Sequence, residues 1–239
     1  MRPFKVVFRT RHYQKVLSGT GVIGVLSSLN SPVPDAKAGG SCDFIEVRLD
    51  KTGHPDGWLE RCREIEDAGR PILLTVRLSS EGGDWRTGDA RRWPLFEQAI
   101  DHLAGVDIEW RSAIVHRVAM QCKRRRKVSV ISYHDFKKTP PREALAEFIT
   151  EAQQIGSVIK IATKLNSPAD EETLRSLLAQ EWRRPLCVIG MGPKWAHTRI
   201  TFPKLGSCLA YGYLDKPSAP GQMSAAELIE KLKNPEAAL

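Results

Sequence analysis

The 239 residues, 41% of them hydrophobic, can build one full core, and a formal charge of +8 suits an anionic partner. No apolar run approaches the roughly 20 residues that cross a bilayer, and the N-terminus lacks the apolar stretch of a secretory signal. These features argue against a membrane or secreted protein and for a cytoplasmic one, in which five scattered cysteines (42, 62, 122, 187 and 208) serve as reduced packing residues.

In chain order, the first 34 residues carry Arg2, Lys5, Arg9, Arg11 and Lys15 with no acid before Asp35. A targeting leader shares that charge, but alternation of Phe4, Val6 and Phe8 with Lys5 and Arg9 better fits a short strand or hairpin. Residues 1–20 therefore read as a basic N-terminal segment, and 21–239 as one larger domain. Apolar, β-branched runs then recur at Gly21–Ser27, Phe44–Asp50, Pro71–Leu78, Val106–Trp110, Val128–His134, Val158–Thr163, Leu186–Met191 and Cys208–Leu214. Stretches of helical character separate most of them, at Trp58–Ala68, Asp89–His102, Arg142–Gln154, Asp170–Trp182 and Ser224–Leu232. Such alternation implies parallel strands and fits a closed (β/α)8 TIM barrel, with the N-terminal segment as a hairpin across its bottom. An open doubly wound sheet reads similarly, but the chain has neither a dinucleotide fingerprint nor a phosphate loop ending in Gly-Lys-Ser/Thr, which favours the barrel. The run Lys123 to Lys127, between a helix and the strand at Val128, reads better as a solvated helix terminus than as a nucleic-acid patch.

Several strands alternate an apolar face with a strongly polar one, unlike the continuous apolar sequence of an ordinary buried parallel strand. Ile45, Val47 and Leu49 oppose Glu46, Arg48 and Asp50; Ile72, Leu74 and Val76 oppose Thr75 and Arg77. Ile131 and Tyr133 oppose Ser132 and His134, while Ile159 and Ile161 oppose Lys160 and Ala162. With the apolar faces on helices, the charged ones point into the barrel, where an isolated charge costs several kcal/mol unless paired, neutralised or functional. Any one of these residues alone reads more simply as a strand-edge group. Four strands repeating the pattern read as a site at the C-terminal strand ends.

Lys160 is the most informative of them. An amine desolvated beside Arg48 or Arg77 is expected to be neutral and nucleophilic toward a ketone, giving an imine that acidifies the adjacent C–H bond. His134 suits the role of base and then acid for that proton. A salt-bridged lysine and a packed histidine are the plainer alternatives for each residue taken singly.

The strings "FIEVRLD", "LLTVRLSSEGGDW", "VDIEW", "SYHDFKKTP", "VIKIATKLNS", "GMGPKWAHTRI" and "LGSCLAYGYLDKPSAPGQMS" follow one another along nearly the whole chain. In order and spacing the sequence resembles the type I 3-dehydroquinate dehydratases, the imine-forming dehydratases of the shikimate pathway. The resemblance implies a barrel that converts 3-dehydroquinate to 3-dehydroshikimate with no metal or organic cofactor. It implies an imine on Lys160, proton transfer by His134, and Glu81 orienting that histidine. Arg199 is implied to hold the substrate carboxylate, and Glu46, Arg48 and Arg77 to bind ring hydroxyls and shape the field around Lys160. Met191 belongs to the same pocket, and Ser218 and Gln222 to a closing loop after the last strand. The partner is then a small molecule, with no nucleic acid or membrane expected and a homodimer left open.

Trp195 stands in the loop before Arg199 where a small residue is expected, so it is a candidate to narrow the carboxylate pocket, and Thr198 replaces the usual Ser. Lys164 is a second amine, placed at or beyond the strand end. The competing readings are another imine-forming barrel enzyme of the class I aldolase type, and an inactive barrel binding anions or nucleic acid.

Overall fold

The computed structural model describes residues 4–33, 42–219 and 221–234. The first three residues of the basic segment, Asp35, Pro220 and the last five residues of the expected catalytic domain lie outside the described residues. A hairpin of β1 (Val6–Arg9) and β2 (Gln14–Leu17) precedes the barrel. The barrel strands are β3 (Gly21–Leu26), β4 (Phe44–Arg48), β5 (Ile72–Thr75), β6 (Gly105–Glu109), β7 (Val128–Asp135), β8 (Val158–Lys164), β9 (Leu186–Met191) and β10 (Leu209–Tyr213). They form one eight-stranded parallel sheet in the order β10-β3-β4-β5-β6-β7-β8-β9. At the seam between the end strands the Cys208 N–H donates to the Leu186 carbonyl at 2.9 Å.

The chain-order expectation of a (β/α)8 barrel with an N-terminal hairpin is met, and the alternating faces explain why. Ile45, Val47, Ile72, Leu74, Ile131, Ile159 and Ile161 point outward into the apolar layer beneath the helices. Those helices are α1 (Leu49–Thr52), α2 (Trp58–Asp67), α3 (Asp89–His102), α4 (Val115–Arg125), α5 (Arg142–Ala152), α6 (Pro168–Ala179), α7 (Thr198–Lys204) and α8 (Ala225–Lys233). A second apolar layer, including Ile23, Val25, Phe44, Leu73, Val130 and Val158, fills the base of the barrel. The hairpin covers that base: Val6, Phe8 and Leu17 are buried, and the Phe8 ring lies 4.3 Å from Phe44. Complete burial of a side chain such as Phe8 contributes about 1.5–3 kcal/mol.

Several boundaries move for local reasons. The expected strand Pro71–Leu78 is a ladder only over Ile72–Thr75, because the Arg77 carbonyl instead accepts from the Trp85 N–H at 3.2 Å. β4 stops at Arg48 and the chain turns into a single helical turn, closed by Gly53 at φ +75°. α6 starts earlier than the apolar pattern indicates, because Ser167 and Asp170 form a reciprocal capping box before it. α4 ends with Lys123, Arg124 and Arg125 in its last turn and Arg126 in the left-handed region, as a solvated basic terminus requires. Arg125 pairs with Asp101 at 3.2 Å, and Lys127 turns inward to donate to the Arg9 carbonyl at 3.0 Å. All five cysteines are free and buried. No helix among the described residues is long and apolar enough to cross a membrane.

Candidate active site

The polar strand faces converge in one cavity at the C-terminal end of the barrel, lined by Glu46, Arg48, Arg77, Glu81, His134, Lys160, Met191, Arg199, Ser218 and Gln222 together with Phe136 and Tyr211. The ten residues expected to bind or transform the substrate thus reach the same space. Parallel register makes this unavoidable: Ser132 stands beside Lys160 and His134 beside Ala162, so residues two apart on β7 stack above one another on the inner face.

Lys160 is 4% exposed, and its Nζ lies 3.0 Å from Asp107 Oδ2 and 3.7 Å from Glu46 Oε1. The groups that touch the amine are carboxylates; Arg77 stands behind Asp107, while Arg48 lines the same cavity. Arg77 donates to Asp107 Oδ1 at 2.6 Å and to Ser132 Oγ at 2.8 Å, and lies 3.3 Å from Glu109. Glu109 in turn accepts from the fully buried Arg92 at 2.7 Å. A buried chain of alternating charge therefore runs from helix α3 to the amine. Burial opposes ionisation of Asp107, but Arg77 and Lys160 hold it far below the ordinary carboxylate range, so it remains an anion. Asp107 and Glu109 were not assigned roles from the sequence, although their alternation with Val106 and Ile108 in "VDIEW" is the same signal that marked the other strands.

His134 is buried, and its Nδ1 lies 3.0 Å from Glu81 Oε2, which also accepts the His134 backbone N–H at 3.0 Å. A proton on Nδ1 directed at Glu81 leaves Nε2 with its lone pair. Burial, then the charges of Arg77 and Lys160, push His134 well below its usual range, so the ring is a neutral base near pH 7. Burial pushes Glu81 up to about 7 against the opposing influence of Arg77. Two glycines place Glu81. Gly82 adopts φ +78° with the Phe136 ring against it, and a Cβ on Gly83 would lie 2.0 Å from the Arg77 carbonyl oxygen. Phe136 also stacks on His134, with centroids 6.5 Å apart.

Arg48 grips Asp50 with both Nε (2.9 Å) and an Nη (2.7 Å), and despite burial this pairing holds Asp50 below the usual carboxylate range. Glu46 accepts from Thr75 Oγ1 at 2.8 Å. Arg199, in the first turn of α7, donates Nε to the Gly221 carbonyl at 3.0 Å and has no carboxylate partner among the described residues. Desolvation lowers it to about 10, which leaves it cationic at neutral pH. Ser218 donates both its N–H (2.7 Å) and its hydroxyl (2.9 Å) to Gln222 Oε1, fixing the loop above the cavity. Trp195 does not line the cavity, which corrects the expectation that it narrows the pocket. Its carbonyl accepts from Thr198 Oγ1 at 2.7 Å, and the ring packs partly on the outer apolar layer. Lys164 is exposed at the end of β8, away from the cavity lining.

The model of the type I 3-dehydroquinase family matches residues 25–237. A 3-dehydroquinate dehydratase of Methanocella arvoryzae is 33% identical over 192 residues, covering 80% of this chain and 86% of that one. One from Methanothrix thermoacetophila is 37% identical over 198 residues, covering 80% and 81%. Among solved structures, the 3-dehydroquinate dehydratase of Aquifex aeolicus superposes with a TM-score of 0.76 at 28% identity, over 90% of this chain and 99% of that one. The type I enzyme of Clostridium difficile, solved with covalently modified comenic acid, shares the fold with a TM-score of 0.77 at 20% identity, over 99% of each chain.

Proposed function

The chain belongs to the type I 3-dehydroquinase family, and from that premise we propose that Lys160, His134 and Glu81 carry out the dehydration. The reaction is that of a hydro-lyase of the shikimate pathway, 3-dehydroquinate giving 3-dehydroshikimate and water. The observation that carries the assignment of residues is the convergence on one cavity of a buried amine, an imidazole held by a carboxyl, and a guanidinium without a carboxylate partner among the described residues.

The Lys160 ammonium first passes a proton to His134, since only the free amine attacks a carbonyl. The nitrogen then adds to the ring ketone, and the carbonyl oxygen leaves as water with one hydrogen from the nitrogen and the proton returned by His134, so that an iminium joins lysine to substrate and the imidazole is again neutral. Asp107 remains an anion throughout and orients the nitrogen. His134 Nε2 removes the hydrogen from the carbon next to the iminium, leaving an enamine and an imidazolium stabilised by Glu81. The enamine electrons expel the hydroxyl on the following carbon, which departs as water with the proton from His134. Hydrolysis of the conjugated iminium releases the enone and restores Lys160.

Arg199 takes the substrate carboxylate, for which a planar guanidinium offers two parallel donors. Glu46 and Arg48 bind ring hydroxyls. Arg77, whose donors are turned to Asp107, Glu109 and Ser132, acts by shaping the field around the amine. Met191 forms an apolar wall, and Ser218 and Gln222 bring the last loop over the ring to exclude water. The basic turn at Lys123 to Lys127 serves the helix terminus and the hairpin, and the reaction needs no nucleic acid.

Borohydride reduction in the presence of 3-dehydroquinate, followed by intact mass and peptide mapping, tests the assignment. The expected result is one adduct on Lys160, absent in Lys160→Ala, with enone formation in that variant reduced at least about 10⁴-fold. Enone formation with no adduct, or with the adduct on Lys164, overturns it.

A further inference from the structure

One buried group in the cavity has no part in the scheme above. Tyr211 lies on the inner face of β10, 6% exposed, where its neighbours in the base layer give it the appearance of ordinary packing. Two observations set it apart. The Lys160 Nζ sits over its ring at 4.0 Å from the centroid, well within cation–π range, and its buried hydroxyl has no hydrogen-bond partner among the described residues. The hydroxyl is therefore not what holds this side chain in place, and the contact with the amine is made by the ring face.

The chemistry of the nitrogen gives that face a purpose. As an ammonium, Nζ has three hydrogens to share between Asp107 at 3.0 Å and Glu46 at 3.7 Å. As an iminium it carries two bonds to the former ketone carbon, one to lysine and a single hydrogen, so it can donate to only one of the two carboxylates. The positive charge is unchanged, but the means of holding it by hydrogen bonds has shrunk. An aromatic face attracts the charge itself and needs no hydrogen.

We infer that Tyr211 is a further catalytic residue, whose ring face carries the positive charge of the Lys160 nitrogen through the iminium stages, when the two carboxylates can no longer both hold it. The inference rests on the Lys160 imine reading and adds to it a group that favours the imine over the free enzyme, because the ammonium retains alternatives that the iminium has lost.

The test measures the concentration of 3-dehydroquinate that gives half-maximal borohydride-trapped adduct. Tyr211→Phe keeps the face and loses an unpartnered hydroxyl, so it should match the parent. Tyr211→Leu removes the face and should raise the half-saturating concentration about fivefold. Should the Leu variant fold poorly, phenylalanines at 211 bearing one, two and five fluorines keep the shape while draining the ring face, and the half-saturating concentration should climb along that series. Equal values in Leu and Phe variants, or a flat fluorinated series, overturn the role of Tyr211 while leaving Lys160 intact. An absence of adduct in the parent at every ketone concentration overturns the imine reading itself.

Discussion

Glu66 near the base of the barrel and Glu81 at its mouth are both buried carboxyls, and burial pushes both up to about 7. They differ in what their oxygens hold. Glu66 Oε1 accepts the backbone N–H groups of Ile72 (2.8 Å) and Ala104 (2.7 Å), tying α2 to the starts of β5 and β6. Glu81 Oε2 accepts one backbone N–H and faces the Nδ1 of His134, while its Oε1 is buried without a hydrogen-bond partner among the described residues. A raised carboxyl alone therefore does not mark a functional site. At the base, buried polar atoms close the fold's own backbone accounts; at the mouth, they hold one another and leave atoms facing the cavity.

If that contrast is right, variants at the mouth change catalysis and those at the base change stability. The largest effect after loss of Lys160 belongs to Arg199→Met, which leaves a substrate carboxylate without its guanidinium. Steady-state kinetics should show kcat/KM falling about a hundredfold, mostly through KM. A loss confined to kcat would place Arg199 in the chemistry rather than in binding. Glu81→Gln should follow, lowering kcat about tenfold to a hundredfold, since a neutral amide still accepts the Nδ1 proton but does not stabilise the imidazolium. In the parent, Glu81 becomes protonated as pH falls through about 7, so an acid limb of kcat in that region should vanish in the variant. Its persistence would assign the limb to another group.

The contrast was only partly legible in the sequence. Period-two alternation with charges on the inner side is a rule of strand geometry, so Glu46, Arg77, His134 and Lys160 could be placed on one face without a structure. The identity of the partner across the barrel could not. Asp107 is brought to Lys160 by the shear and register of two strands 53 residues apart in sequence, which no local pattern encodes. Tyr211 was hidden for the opposite reason, since an aromatic in an apolar strand reads as core. Helix α7 was missed because seven residues containing Pro203 show no apolar period, although Arg199 within it was found through the resemblance. Trp195 was misplaced because sequence distance from Arg199 says nothing about which way the intervening helical turn directs a ring.

The smallest effect on activity, and the sharpest probe of the base, is Glu66→Gln. A carboxyl raised in the folded state binds its proton more tightly there than in the unfolded chain. Its contribution to stability is thus fully present below about pH 4.5 and is lost as pH rises through about 7. Glutamine Oε1 can still accept the Ile72 and Ala104 N–H groups, but no buried charge develops at alkaline pH. Denaturant unfolding at pH 5 and pH 8 should show the parent losing stability across this interval, with Glu66 responsible for about 1–3 kcal/mol. The Gln variant should lose less across the same interval. Its kcat at pH 8 should equal the parent's, because Glu66 does not line the cavity and its oxygen holds backbone N–H groups at the starts of β5 and β6. An unchanged slope would mean that Glu66 is ionised in the fold at low pH, and a fall in kcat would mean that the base is mechanically coupled to the mouth after all.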